Sequence, residues 1–325
     1  MRYHLMTLGC PKNTSDSQRL IRGLNRAGHR ATGSTDEADV IIVNSCGFID
    51  SAKDESSEIS REFARNKRSD QELIVIGCWT QIEPDRVERL VPGVDAIFGV
   101  EAWDEIVRHF DSSSPNDIPE PGPVFAAAAT AYLKISDGCA RPCTFCNIPS
   151  IKGKEFRSSS MDELILEAQR LSSDGVKELV LVAQDSTAYG ADLHYEDGLA
   201  ILLERIALEV PDVPWLRVMY AYPGFVSDRL IEAMASIPQV CHYLDIPLQH
   251  ASPDVLRRMK RPHNMTMVYD TLNRLRTAMP DIALRTTFIV GFPGESKVDF
   301  ELLLSFMEEV GFDRASAFTF SPQIG

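Results

Sequence analysis

Tyr132-Leu133-Lys134-Ile135-Ser136-Asp137-Gly138-Cys139-Ala140-Arg141-Pro142-Cys143-Thr144-Phe145-Cys146 is the stretch on which the reading of this chain turns. Its first four residues read as a strand, and the chain then runs into a loop with three thiols separated by three and then two residues. Thiols so spaced can face one inorganic site together. A zinc site more often shows Cys-x-x-Cys pairs and a fourth Cys or His nearby, whereas this local set stops at three. A 4Fe-4S cluster on three thiolates keeps one iron without a protein ligand, and that iron can bind a small molecule through nitrogen and oxygen. The plainer alternative is three buried cysteines packed as small hydrophobes.

Toward the C-terminus, strands and helices alternate. Ser160-Met161-Asp162-Glu163 is a capping box opening a helix with Met161, Leu164, Ile165, Ala168 and Leu171 on one face and Gly175 at its end. Strands are predicted at residues 179–182, 215–222, 243–248, 282–290 and 315–320. The intervening helices fall at about 199–210, from Ser227 to Ser236, near Val255, and at 267–279 and 297–310. Six βα steps beginning at the thiol loop predict a partial (β/α)6 barrel with its site at the C-terminal mouth.

The strand ends carry Gln184-Asp185-Ser186-Thr187, Tyr222-Pro223-Gly224, Gln249-His250 and Gly291-Phe292-Pro293-Gly294-Glu295. Backbone at Gly291 and Gly294 can approach a nucleoside closely, although Gly-Phe-Pro-Gly is also an ordinary turn. Gln249 joins them as a candidate for binding a small-molecule cofactor. His250 reads either as a contact to substrate or cofactor or as a hydrogen-bonded structural histidine. Cys241 precedes a predicted strand and reads as a packed thiol. Arg257, Arg258, Lys260 and Arg261 read as a solvated helix face.

The N-terminal part alternates too. Residues 3–8, 40–43, 73–76 and 96–98 are predicted strands, with helices at about 15–27, 51–67 and 83–90 between them. This predicts a doubly wound parallel sheet covered on both faces. Cys10, Cys46 and Cys78 each fall one or two residues past a strand. Parallel strands end on one edge, where ligand sites of open α/β sheets lie, so three thiols distant in sequence can converge on a second centre. Three unrelated buried cysteines are the alternative. Asp111 to Val124 is dense in Ser, Pro, Asp and Gly and marks a linker. The expected division is 1–112, a linker at 113–128, and 129–325.

At 325 residues and 44% hydrophobic content the chain is long enough for two cored domains of an α/β protein. The N-terminal residues are too short an apolar segment for a signal peptide, and no apolar run has the length to span a bilayer. These features lead us to expect a cytoplasmic protein with no membrane association. Seven cysteines in such a chain point to metal or redox chemistry rather than a disulfide framework. A net charge of −14 disfavours bulk nucleic-acid binding.

C-x3-C-x-F-C, with Phe145 before the last thiol, resembles the signature of the radical S-adenosylmethionine (SAM) superfamily. Along essentially the whole chain the motifs resemble its methylthiotransferase family. LGCPKN at Leu8 to Asn13, NSCGFI at Asn44 to Ile49, YLKISDGC at Tyr132 to Cys139, VAQDS at Val182 to Ser186, LDIPLQH at Leu244 to His250 and RTTFIVGFPGE at Arg285 to Glu295 look like the branch acting on an aspartate of ribosomal protein uS12. The tRNA-modifying branch tends instead to GCQMN and a TCSVRE type of segment.

The resemblance implies two 4Fe-4S clusters and SAM as cofactors. Cys139, Cys143 and Cys146 would hold the SAM-cleaving cluster; Cys10, Cys46 and Cys78 would hold an auxiliary cluster in the N-terminal methylthiotransferase domain. The implied reaction replaces a C–H bond at the aspartate β-carbon with C–S–CH3. A 5′-deoxyadenosyl radical abstracts the hydrogen, and a second SAM methylates the sulfur. An electron donor and a sulfur source are implied as further partners, and both open iron sites are expected to face one dry cavity.

Lys152 to Ser158 departs from the Arg-Gly and Arg-Ser-Arg segments expected there, and a C-terminal TRAM domain expected after Gly325 is not in this sequence. The alternatives are the same chemistry on a tRNA adenosine and a non-catalytic iron-sulfur or metal-binding protein.

Overall fold

The computed structural model describes residues 1–112 and 129–322, which fall into two compact units, 1–112 with 150–152, and 129–149 with 153–322. The linker expected at 113–128 lies outside the described residues.

In chain order the first unit contains β1 (Arg2–Thr7), α1 (Pro11–Arg26), β2 (Arg30–Ala31), β3 (Val40–Ser45), α2 (Asp50–Asn66), β4 (Glu72–Gly77), α3 (Cys78–Ile82), α4 (Pro84–Leu90), β5 (Ala96–Phe98) and α5 (Trp103–Ser112). The strands form one parallel sheet in the order β2-β1-β3-β4-β5. The run Val-Ile-Ile-Val makes β3 central because a parallel strand covered by helices on both faces needs apolar side chains on both. Alternate residues divide accordingly. Val40, Ile42, Ile74 and Ile76 pack with Tyr3, Leu20 and Phe110, whereas Ile41, Val43, Leu73 and Val75 pack with Trp79, Val87 and Val91. Strand order reverses beside β1, which places a crevice at the carboxyl ends of β1 and β3.

Two departures have local causes. Helix α1 begins at Pro11 rather than near Ser15, since proline at a first helical position costs no hydrogen bond. Helix α5 was not anticipated, and it extends through Asp111 and Ser112, which read as linker. Its Trp103, Ile106 and Phe110 recur at helical spacing and bury against α1 and β1.

The remaining elements are β6 (Thr130–Lys134), β7 (Ser136–Asp137), α6 (Ile148–Lys152), β8 (Arg157–Ser158), α7 (Met161–Ser173), β9 (Glu178–Val182), α8 (Gly198–Glu209), β10 (Trp215–Val218), α9 (Asp228–Ser236), β11 (Val240–Asp245), α10 (Pro253–Arg258), α11 (Met265–Ala278), β12 (Ala283–Val290), α12 (Lys297–Val310) and β13 (Arg314–Thr319). Six of the strands pair in sequence order, β6-β9-β10-β11-β12-β13, every pair parallel. With β6 and β13 at opposite edges, this is the partial (β/α)6 barrel. Leu179, Leu181, Leu216, Val218, Leu244 and Leu284 enter the core shared with the helices, while Val180 and Val182 are buried on the other face.

The Ser160 capping box is present, with the Ser160 hydroxyl accepting from Glu163 N and the Glu163 carboxylate accepting from Ser160 N. Strand β10 stops at Val218, short of the expected Tyr222, because Tyr220 adopts a left-handed φ of 63° that ends the extended ladder. Strand β11 starts at Val240 and includes Cys241, which the sequence placed before it.

Candidate functional site

The carboxyl edge of the first sheet carries three free thiols: Cys10 at the N-terminal boundary of α1, Cys46 just past β3, and Cys78 opening α3 after β4. Asn13, one turn into α1, ties their loops together. Its Nδ2 donates to Leu8 O at 2.9 Å and Ser45 O at 3.2 Å, and its Oδ1 lies 3.9 Å from Cys10 Sγ and 3.6 Å from Cys78 Sγ. Cys46 comes in from the other side. A Cβ on Gly9, which has φ +91°, would stand 2.8 Å from Cys46 Cβ and 3.0 Å from its Sγ. Glycine is therefore the residue that lets the β1 and β3 loops approach. Burial pushes the Cys46 thiol up and the Cys78 thiol up to about 12. Thiols so placed stay protonated unless a nearby positive charge compensates the thiolate.

The second set is on the loop after β6. Strands β7 and β8 pair antiparallel and pinch the base of this loop, with Ser136 opposite Ser158 and Asp137 opposite Arg157. Cys139 N donates to Gly153 O at 3.2 Å and Cys146 N to Cys143 O at 3.3 Å. Thr144 anchors the loop to the end of α10, through its N to Met259 O at 3.1 Å and its Oγ1 to Arg258 O at 3.0 Å. Cys139 is buried, which raises its thiol, while Cys143 and Cys146 are half-buried. The loop is thus pinned at both ends and in the middle, and none of its three cysteines is in a disulfide.

Among the described residues no three His, Cys, Asp or Glu side chains converge closely enough to hold a single metal ion. A four-iron cluster does not require that, because each thiolate binds a different iron.

Around the second loop, two arginines make contacts that the sequence did not indicate. Arg141 Nε donates to Asp185 Oδ2 at 2.7 Å, and its guanidinium is 3.8 Å from the Phe225 ring centroid and 4.4 Å from that of Tyr222. Arg261 Nη1 donates to Cys143 Sγ at 3.8 Å, its Nη2 donates to Pro247 O, and its guanidinium lies 4.1 Å from the Tyr222 centroid. The solvated face expected for the basic run is thus wrong for Arg261, which is buried because the chain turns inward after α10. Arg257 pairs with Asp254 at the surface, and Arg258 donates to Gly294 O at 2.9 Å. Asn13 stood inside a recognised motif without a role, and a contact made across such sequence separations leaves no local periodic signal.

The small-molecule candidates are adjacent through backbone. Gln249, at a left-handed φ of 73°, bridges to Phe288 of β12, its N donating to Thr287 O and its O accepting from Ile289 N. Gly291 has φ +74° and open space where a Cβ would stand; Gly294 has φ +82° with Arg258 nearby. The turn reading also holds, since Glu295 N donates to Phe292 O at 2.8 Å and the Glu295 carboxylate accepts from Phe292 N. His250 is buried, accepts from Ser252 N at 2.9 Å and sets Nε2 3.6 Å from Glu295 Oε1. The bond at Nδ1 is the kind a hydrogen-bonded structural histidine makes, while Nε2 is buried without a hydrogen-bond partner.

Comparison with known proteins agrees with this geometry. A family model described as the radical SAM superfamily matches residues 133–307, and one described as an uncharacterized protein family, UPF0004, matches residues 2–99. Curated relatives named ribosomal protein uS12 methylthiotransferase RimO match the whole chain. The one from Chloroflexus aurantiacus is 45% identical over 353 residues, covering 100% of this chain and 77% of the relative. The one from Roseiflexus castenholzii is 43% identical over 363 residues, covering 100% and 75%. The one from Clostridioides difficile is 40% identical over 336 residues, covering 99% and 75%.

This chain belongs to the radical SAM methylthiotransferase family.

As a member of that family it is a transferase that uses SAM and a 4Fe-4S cluster. Among solved structures, the radical SAM methyltransferase TsrM from Kitasatospora setae, with cobalamin and a [4Fe-4S] cluster bound, matches with TM-score 0.68 at 13% identity, covering 98% of this chain and 75% of that one. The cobalamin-dependent enzyme OxsB matches with TM-score 0.64 at 12% identity, covering 94% and 52%. These likenesses speak to the fold alone. Among the described residues no helix is long and apolar enough to cross a membrane.

Proposed function

We propose that this methylthiotransferase converts an aspartate β-C–H of ribosomal protein uS12 into C–S–CH3, using two 4Fe-4S clusters. One would be held by Cys139, Cys143 and Cys146, and an auxiliary one by Cys10, Cys46 and Cys78. The observation that carries the reading is that each set of three cysteines lies past the carboxyl ends of parallel strands, outside any disulfide and on locally braced loops. The substrate is inferred from the name of relatives up to 45% identical over the full chain. A cytoplasmic location follows from a ribosomal protein as substrate.

Bound together at a three-thiolate loop, a cluster and SAM supply a primary carbon radical able to take hydrogen from an unactivated C–H bond. The chain's own residues hold and orient. The β7–β8 pinch and the Thr144 hydrogen bonds fix where the three thiols stand, and the left-handed turns at Gln249 and Gly291 keep side chains clear of backbone that a nucleoside would approach. Asn13 holds the β1, β3 and β4 loop ends to one spacing. An external one-electron donor and a sulfur source complete the reaction.

The test is anaerobic reconstitution with iron and sulfide, then incubation with SAM, a strong reductant, and either uS12 or tRNA, with mass analysis of both. A methylthio gain on a uS12 aspartate is expected; a gain on tRNA alone would assign the chain to the other branch.

A further inference from the structure

Two guanidinium groups flank the Cys139–Cys146 loop, and they are not equivalent. The charge of Arg141 is balanced by the Asp185 carboxylate at 2.7 Å. Arg261 is 7% exposed, and among the described residues no carboxylate pairs with it. Its polar contacts are Pro247 O and Cys143 Sγ, its plane rests on Tyr222, and its Nε is buried without an acceptor. A guanidinium stays protonated at any working pH, and burying one without a counter-charge is costly. The group it faces that can become anionic is the Cys143 sulfur.

We propose that Arg261, supported by Tyr222, sets the reduction potential of the cluster carried by this loop, by donating a charge-assisted N–H to the Cys143 sulfur. The inference rests on the loop holding that cluster. Reduction here is the uptake of one electron from a low-potential one-electron donor, with no bond made or broken. The cluster and its thiolates become more negative by one charge. A fixed cation hydrogen-bonded to one of the sulfurs favours the reduced form over the oxidised one and moves the midpoint upward. Tyr222 adds a ring face that keeps the guanidinium in place. Arg261 is thus a tuning and positioning residue acting through Cys143.

The test is a potentiometric titration read by electron paramagnetic resonance on the full chain carrying Cys10→Ala, Cys46→Ala and Cys78→Ala, so that one cluster remains. In that background, Arg261→Gln is expected to lower the reduced-to-oxidised ratio at fixed potential about tenfold, a negative shift of about 59 mV for a one-electron couple. Arg261→Lys is expected to recover most of the shift, and Tyr222→Leu, which removes the ring the guanidinium rests on, to give a smaller shift of the same sign. An unchanged midpoint in an Arg261→Gln chain with full iron overturns the proposal, and so does weakened SAM binding with an unchanged midpoint, which would make Arg261 a SAM contact. If Arg261→Gln loses its iron, Tyr222→Leu decides: a negative shift supports the proposal and no shift overturns it. A parent chain without iron would overturn the assignment of the cluster to this loop as well.

Discussion

At Cys10 and Cys78 the side chain touching the thiols is the uncharged amide of Asn13, and the charges acting on Cys78 are the buried, mutually paired Lys152 and Asp16, whereas Cys143 faces the Arg261 guanidinium, which has no carboxylate partner among the described residues. The first surroundings push thiols up, Cys78 to about 12, and leave the metal as the source of thiolate character. In the second, burial likewise raises Cys139, but Cys143 has the Arg261 cation against its sulfur. Both sites use the carboxyl edge of a parallel sheet, so the fold provides the ledge in each case and the side chains beside it set the electrostatics. On this account the first set holds a centre whose charge stays put, and the second holds one that must accept an electron.

The largest effect that would sharpen the contrast is a dissociation of activities. Cys143→Ala is expected to abolish 5′-deoxyadenosine formation from SAM. Cys10→Ala is expected to keep SAM cleavage while abolishing methylthio transfer, both products being measured by chromatography and mass analysis in one reaction. Loss of SAM cleavage in both variants would erase the division of labour.

Next is Asn13→Ala, which leaves Leu8 O and Ser45 O without their side-chain donor. It is expected to cost about 2–3 kcal/mol in denaturant unfolding and to lower iron binding at the first set while sparing the second.

How far these sites were legible in sequence follows the same split. The Cys139–Cys146 loop announces itself because its thiols are near neighbours, and the first triad could be inferred once strand ends were located. Barrel order came from the alternation of strand and helix, since consecutive parallel strands pair in sequence. Arg141 with Asp185, and Arg261 with Cys143, could not be read so, because these partners are far apart in the chain and meet only when the loops fold. The β7–β8 pair was missed because two residues are too few to show a period of two.

Two smaller effects concern the scaffold. Burial holds the His250 imidazole below its ordinary 6.5, outweighing Glu295 and Asp299, which raise it, and adding to Arg258, which lowers it. The unfolded chain therefore takes up a proton near pH 6.5 that the folded chain refuses. Stability falls as pH drops below 6.5, by up to about 1.4 kcal/mol per pH unit, until the folded-state pKa is reached. His250→Gln is expected to flatten that slope in unfolding curves from pH 7 to 5. Ser160→Ala removes the α7 cap and is expected to cost about 1 kcal/mol, with the iron content of both sites unchanged by metal analysis.

The most direct test of the account is the iron and acid-labile sulfide content of reconstituted Cys143→Ala and Cys10→Ala chains beside the parent. Two independent clusters predict that each variant keeps about half of the parent's iron and sulfide, and that SAM perturbs the paramagnetic signal of Cys10→Ala alone. Loss of all iron in either variant, or full iron in both, would contradict it.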